Sequence, residues 1–196
     1  MVRLEDVARQ VLGFLRDDLQ TNAISVETNF RDGLPPTHAD PTQLQQVILN
    51  LVSNAIEAMS SASGSRRLRL STSISENSVL LSVQDSGAGI PRKDEERIFD
   101  AFFTTKASVG LGLAICRTLV ENHGGVLRLA KADAVGSIFE VAMLVSAERR
   151  PSQVPSANRS ITGPHLTLTF PRTSNDFQAF CSIAFTRFSN RKGFVR

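Results

Sequence analysis

Apolar side chains open the chain at helical spacing. Leu4, Val7, Ala8, Val11, Leu12, Leu15 and Leu19 form one stripe, which predicts an amphipathic helix. Ile24, Val26, Thr28 and Phe30 then alternate with polar residues, as in a strand. Gly33-Leu34-Pro35-Pro36 breaks regular structure, and Asp40-Pro41 supplies an N-cap followed by proline at the first helical position. From there to Met59 the pattern is helical, with Leu44, Val47, Ile48, Leu51, Ala55 and Ile56 on one face. After a Ser/Gly loop, strands are expected at Leu68–Ile74 and Val79–Val83. Gly110-Leu111-Gly112 opens a further helix that stops at His123-Gly124-Gly125, and strands at Val126–Ala130 and Ser137–Val145 complete the pattern. This mixture predicts an α+β fold: a two-layer α/β sandwich with helices on one face of a mixed sheet.

The pattern holds for residues 1–148 and then stops. Residues 149–196 carry four prolines, many serines and six phenylalanines without clear periodicity. This segment is too aromatic for an ordinary charged disordered tail. It is expected to be poorly ordered, and no fold is assigned to it. It also changes the reading of charge. Residues 151–196 hold six basic side chains against one acid, Asp176, so of the net +3 they contribute +5 and residues 1–150 contribute −2. The domain has no basic surplus, and nucleic acid is not an expected partner.

A chain of 196 residues suits one well-buried domain. No stretch approaches the ~20 apolar residues of a membrane span, and the N-terminus does not read as a signal peptide. Cys116 and Cys181 form no metal-spaced or redox-spaced pair, so a reduced, cytoplasmic setting is expected.

Four stretches carry candidate chemistry. Asn50 and Asn54 lie four apart on one face of an otherwise apolar helix, where two carboxamide oxygens can meet a hard cation such as Mg²⁺. Two asparagines making interhelical or backbone hydrogen bonds would look the same in sequence. Asp85-Ser-Gly87-Ala-Gly89-Ile90-Pro91 follows a strand. A carboxylate there can accept from an exocyclic amine such as that of adenine, while the glycines let backbone approach a flat ligand; an ordinary Asp/Gly turn is the plainer reading. The phenylalanines at 99, 102 and 103 suit a core, and Thr104, Thr105 and Lys106 follow, with Lys106 able to meet a phosphate. Gly110-Leu111-Gly112-Leu113 places glycine at a helix N-terminus, whose free N–H groups suit phosphate. The chain has no G-x-x-x-x-G-K-[ST] phosphate loop.

Together, QLQQVILNLVSNAIEAM (43–59), DSGAGIP (85–91), RIFDAFFTTK (97–106) and GLGLAICRTLVENHGG (110–125) resemble the catalytic ATP-binding domain of sensor histidine kinases, within the wider GHKL ATPase superfamily. The resemblance spans residues 3–145 and is nearest to kinases of the nitrogen-regulation and oxygen-sensing type. It implies ATP and Mg²⁺ as ligands. Asn54 would hold Mg²⁺ against the ATP phosphates, with Asn50 supporting it. Asp85 would bind the adenine amino group, Gly87 and Gly89 would shape that wall, and Ile90 would pack on the ring. Phe102 and Phe103 would anchor an ATP lid containing Thr105 and Lys106. Gly110, Leu111, Gly112 and Leu113 would carry the end of the lid and the helix start facing the phosphates. Asn50, Asn54 and Lys106 are the expected catalytic set, and His123 is read as structural.

The resemblance also implies a histidine nucleophile on a separate dimerising helical domain, in cis or in trans, and a response regulator downstream. None of His38, His123 or His165 sits in a context that fits that nucleophile. Hydrolytic relatives place a general-base glutamate four residues before the Mg²⁺ asparagine; Asn50 stands there and cannot take a proton. A non-catalytic nucleotide-binding module is the other alternative. The short stretch from Lys106 to Gly110, with Val109 where relatives usually offer glycine, and the foreign tail favour it.

Overall fold

The computed structural model describes residues 1–60, 64–103, 110–133 and 136–145, together with the backbone of 161–163 and 166–168. The chain divides into two compact units, Met1–Arg150 and Pro151–Arg196. In the second, two short strands, Ile161–Gly163 and Leu166–Leu168, pair antiparallel.

The first unit runs α1 (Leu4–Phe14), α2 (Arg16–Thr21), β1 (Ile24–Asn29), α3 (Pro41–Ser60), β2 (Arg66–Ser75), β3 (Ser78–Asp85), a single 3₁₀ turn (Arg92–Asp94), α4 (Gly112–Asn122), β4 (Val126–Asp133) and β5 (Gly136–Leu144). The sheet order is β1-β2-β3-β5-β4. β1 pairs parallel with β2, which requires a crossover, and α3 provides it. The other neighbours are antiparallel. This is the mixed sheet with helices packed against it that the periodicities predict.

Alternation explains which side of the sheet is covered. Leu68, Leu70, Val79, Leu81, Val83, Val141 and Met143 are buried, while the residues between them are half-buried or exposed. The open face carries ion pairs across strands, Arg69 to Glu27 at 2.7 Å and Arg128 to Glu140 at 2.6 Å. Onto the covered face α3 lays Leu44, Val47, Ile48, Leu51, Val52, Ala55, Ile56 and Met59. Burying each large side chain of this kind contributes about 1.5–3 kcal/mol.

The start of α3 is capped as its sequence requires: Asp40 Oδ1 accepts from the amides of Thr42 at 2.8 Å and Gln43 at 3.0 Å. The opening stripe differs from the single helix its periodicity predicts. It divides at Leu15, whose ψ of 9° ends α1, two residues after the poor helix former Gly13. Leu15 and Leu19 are buried all the same, because the helical hydrogen bonds Leu15 N–H to Val11 and Leu19 N–H to Leu15 continue across the break. Among the described residues no helix is long and apolar enough to cross a membrane.

Candidate active site

Asp85 ends β3 with its side chain on the covered face, 5% exposed. Its carboxylate is held by two donors. The Gly87 amide reaches Oδ1 at 2.7 Å, and the Ser137 hydroxyl reaches Oδ2 at 2.5 Å. A carboxylate offers about four lone-pair sites, so two donors orient it and leave capacity for a further donor. Ser137 carries no role in the sequence reading. It sits 52 positions from Asp85 and is brought to it by the β3–β5 pairing, in which Gln84 faces Ile138. The signal available in sequence was Gly136-Ser137 opening a strand. Gly136 packs so closely on the Asp85 carbonyl that any side chain there would collide with it.

The glycines beyond Asp85 press this wall against α3. A Cβ on Gly87 would lie 2.7 Å from the Ala58 carbonyl carbon and oxygen. Gly89 backs onto the Asp133 carbonyl, and Ile90 is half-buried against the core. Ala58 is one turn beyond Asn54, and Asn54 one turn beyond Asn50, at about 6 Å per step. Both asparagines are half-buried, and neither carboxamide has a hydrogen-bond partner among the described residues. Among the described residues, interhelical or backbone hydrogen bonding therefore does not account for them.

At the Asn50 end stands the start of α4. Among the described residues, a Cβ on Gly112 would come no nearer than 4.0 Å to any neighbour, the nearest being Asn50 Oδ1. Leu111 occupies the N-cap without a side-chain cap bond, so the first amides of the helix are left for an outside acceptor. Leu113 is half-buried against the core. The Gly110 carbonyl accepts from the Phe102 amide at 2.9 Å, which brings the two flanks of segment 104–109 together. Phe102 has φ of 68° and is 48% exposed, whereas Phe103 is half-buried with the Arg97 guanidinium 4.6 Å above its ring. Thr105 and Lys106 lie outside the described residues. Asp85, Gly87, Asn54, Asn50 and Gly112 thus follow one line along α3, roughly 12 Å from Ala58 to Asn50. A carboxylate stands at one end, the amides of the α4 start at the other, and between them two carboxamides with no hydrogen-bond partner among the described residues.

Residues 39–147 match the family described as histidine kinase-, DNA gyrase B-, and HSP90-like ATPase. The sensor protein TdiS of Thauera aromatica is 36% identical over 144 residues, 71% of this chain and 26% of TdiS. The catalytic domain of histidine kinase ThkA superposes with a TM-score of 0.65 at 31% identity, covering 73% of this chain and 95% of that domain. The chain belongs to the histidine kinase catalytic ATP-binding domains. Full-length ShkA in complex with AMPPNP gives a TM-score of 0.66 at 28% identity over 75% of this chain and 31% of ShkA. The chain spans about a quarter of the length of TdiS.

Proposed function

We propose that this domain binds ATP along α3 and transfers its γ-phosphoryl group to a histidine on a dimerising helical domain, in cis or in trans, in the cytoplasm, with a response regulator as the later acceptor. The observation that carries the reading is the alignment along α3 of a buried, oriented carboxylate, two carboxamides without a hydrogen-bond partner among the described residues, and a helix start whose N-cap side chain makes no cap bond. A nucleotide asks for these groups in this order. Asp85 accepts from the adenine amino group, Gly87 and Gly89 form the wall beside it, and Ile90 packs on the ring. The amides at Gly112 and Leu113 meet phosphate oxygens. Lys106 adds positive charge, and Phe102, Phe103, Thr105, Gly110 and Leu111 complete the phosphate side. The AMPPNP bound to ShkA supports the choice of nucleotide.

Asn54, with Asn50 beside it, is the fitting place for Mg²⁺, because neutral carboxamide oxygens suit a hard cation. When bound, Mg²⁺ supplies neutralisation of phosphate charge. Phosphoryl transfer asks the protein mainly for positioning and charge stabilisation. The bond between the γ-phosphorus and the β,γ-bridging oxygen breaks as the phosphorus–nitrogen bond to the acceptor imidazole forms, and ADP leaves. Asn50 cannot act as a base toward water, which disfavours hydrolysis.

The test is to incubate the purified chain with γ-labelled ATP and a separate histidine-bearing dimerisation domain from a similar kinase. Acid-labile label on that histidine is expected. Nucleotide binding without any transfer would favour the non-catalytic module.

A further inference from the structure

We infer that His123 is a positioning residue for the phosphate end of this site, fixing α4 along α3 so that its uncapped start stands at Asn50. The inference rests on the nucleotide reading above. Both ring nitrogens are engaged. Nε2 accepts from the Asp40 backbone amide at 3.1 Å, and Nδ1 lies 2.8 Å from the Leu119 carbonyl. Since the Asp40 amide can only donate, Nε2 carries no proton, and Nδ1–H donates to Leu119. One neutral tautomer satisfies both bonds. The Asp40 side chain meanwhile caps α3, its Oδ1 accepting from the amides of Thr42 and Gln43.

The position of this bond gives it consequence. α3 and α4 run antiparallel, and His123 joins the end of α4 to the cap of α3. The Cys116 thiol meets the Val47 carbonyl at 3.9 Å between the helix ends, and Gly112 stands at Asn50 beyond it. Asp40 to Asn50 and His123 to Gly112 each span roughly 15 Å of helix, so the two helices match end to end. Gly124 and Gly125 close α4 on their own, through bonds to Glu121 at 2.9 Å and Val120 at 3.0 Å. His123 is therefore not needed to stop the helix. The bond its Nε2 makes ties the end of α4 to the start of α3, beyond the Cys116 contact and the apolar packing between the helices.

The experiment compares H123N, which keeps a donor near the Nδ1 position, with H123Q, which carries an amide oxygen near the Nε2 position. NMR titration measures affinity for ATP with Mg²⁺ and for adenosine alone, and melting temperature reports the fold. H123N is expected to weaken ATP by about 3- to 10-fold, the worth of one hydrogen bond, with adenosine affinity unchanged. H123Q is expected to retain the ATP affinity of the unaltered chain. Equal loss for ATP and adenosine would mark a general effect on the fold and overturn the inference, as would unchanged ATP affinity in H123N. Failure of the unaltered chain to bind ATP would instead overturn the nucleotide reading itself, and this inference with it.

Discussion

The Ser137 hydroxyl donates to Asp85 Oδ2 at 2.5 Å, both residues being 5% exposed. The bond ties β5 to the tip of β3 at the point where the proposed adenine wall begins. A hydrogen bond to a charged acceptor is worth about 1.5–3 kcal/mol, and Ser137→Ala should lower unfolding stability by that amount. It should also weaken ATP binding, because the carboxylate loses one of its two orienting donors. Urea unfolding and calorimetric titration measure the two effects.

Asp85→Ala removes the acceptor itself. ATP affinity should fall by about 10- to 100-fold, the loss of a charge-assisted hydrogen bond, and the preference for ATP over GTP should disappear. Calorimetry with both nucleotides checks this; unchanged ATP affinity would remove Asp85 from the adenine site.

Asn54→Ala should separate function from stability. The carboxamide is half-buried and has no partner among the described residues, so its loss orphans none of their groups. Alanine is the better helix former by up to about 0.7 kcal/mol, and the melting temperature should hold or rise. The Mg²⁺ dependence of ATP binding should vanish, as read by titration with and without the metal.

Two glycines should respond in opposite ways to alanine. At Gly87 the new methyl meets Ala58 backbone at 2.7 Å, which forces a shift costing about 1–3 kcal/mol. At Gly112 the nearest described atom is Asn50 Oδ1 at 4.0 Å, an ordinary contact, so the fold should be unaffected while the methyl narrows the approach of phosphate to the helix start. Thermal melts should distinguish the first variant, and ATP titration the second.

Much of this was legible along the chain because it is local. Apolar spacing, the Asp40 cap and the glycine stop of α4 each depend on neighbours within a turn or two, and α3 follows its predicted span to within one residue at its end. The break at Leu15 was not legible, since the apolar stripe continues through it. Ser137 was hidden for a different reason. Gly136-Ser137 marks only the start of a strand, and the meaning of the serine arises when β5 pairs with β3 and brings it 52 positions back to Asp85. The role of the His123 ring was hidden likewise, because Asp40 is 83 positions away.

The central claim is that nucleotide lies along α3 from Ala58 to Asn50. The most direct measurement is a ¹⁵N NMR titration of the chain with AMPPNP and Mg²⁺. The largest shifts are predicted at the Gly87 amide, the Asn54 and Asn50 side-chain amides and the Gly112 amide, with Arg69, Arg128 and Glu140 on the open sheet face unmoved. Shifts confined to that open face, with Gly87 and Gly112 unchanged at saturation, would contradict it.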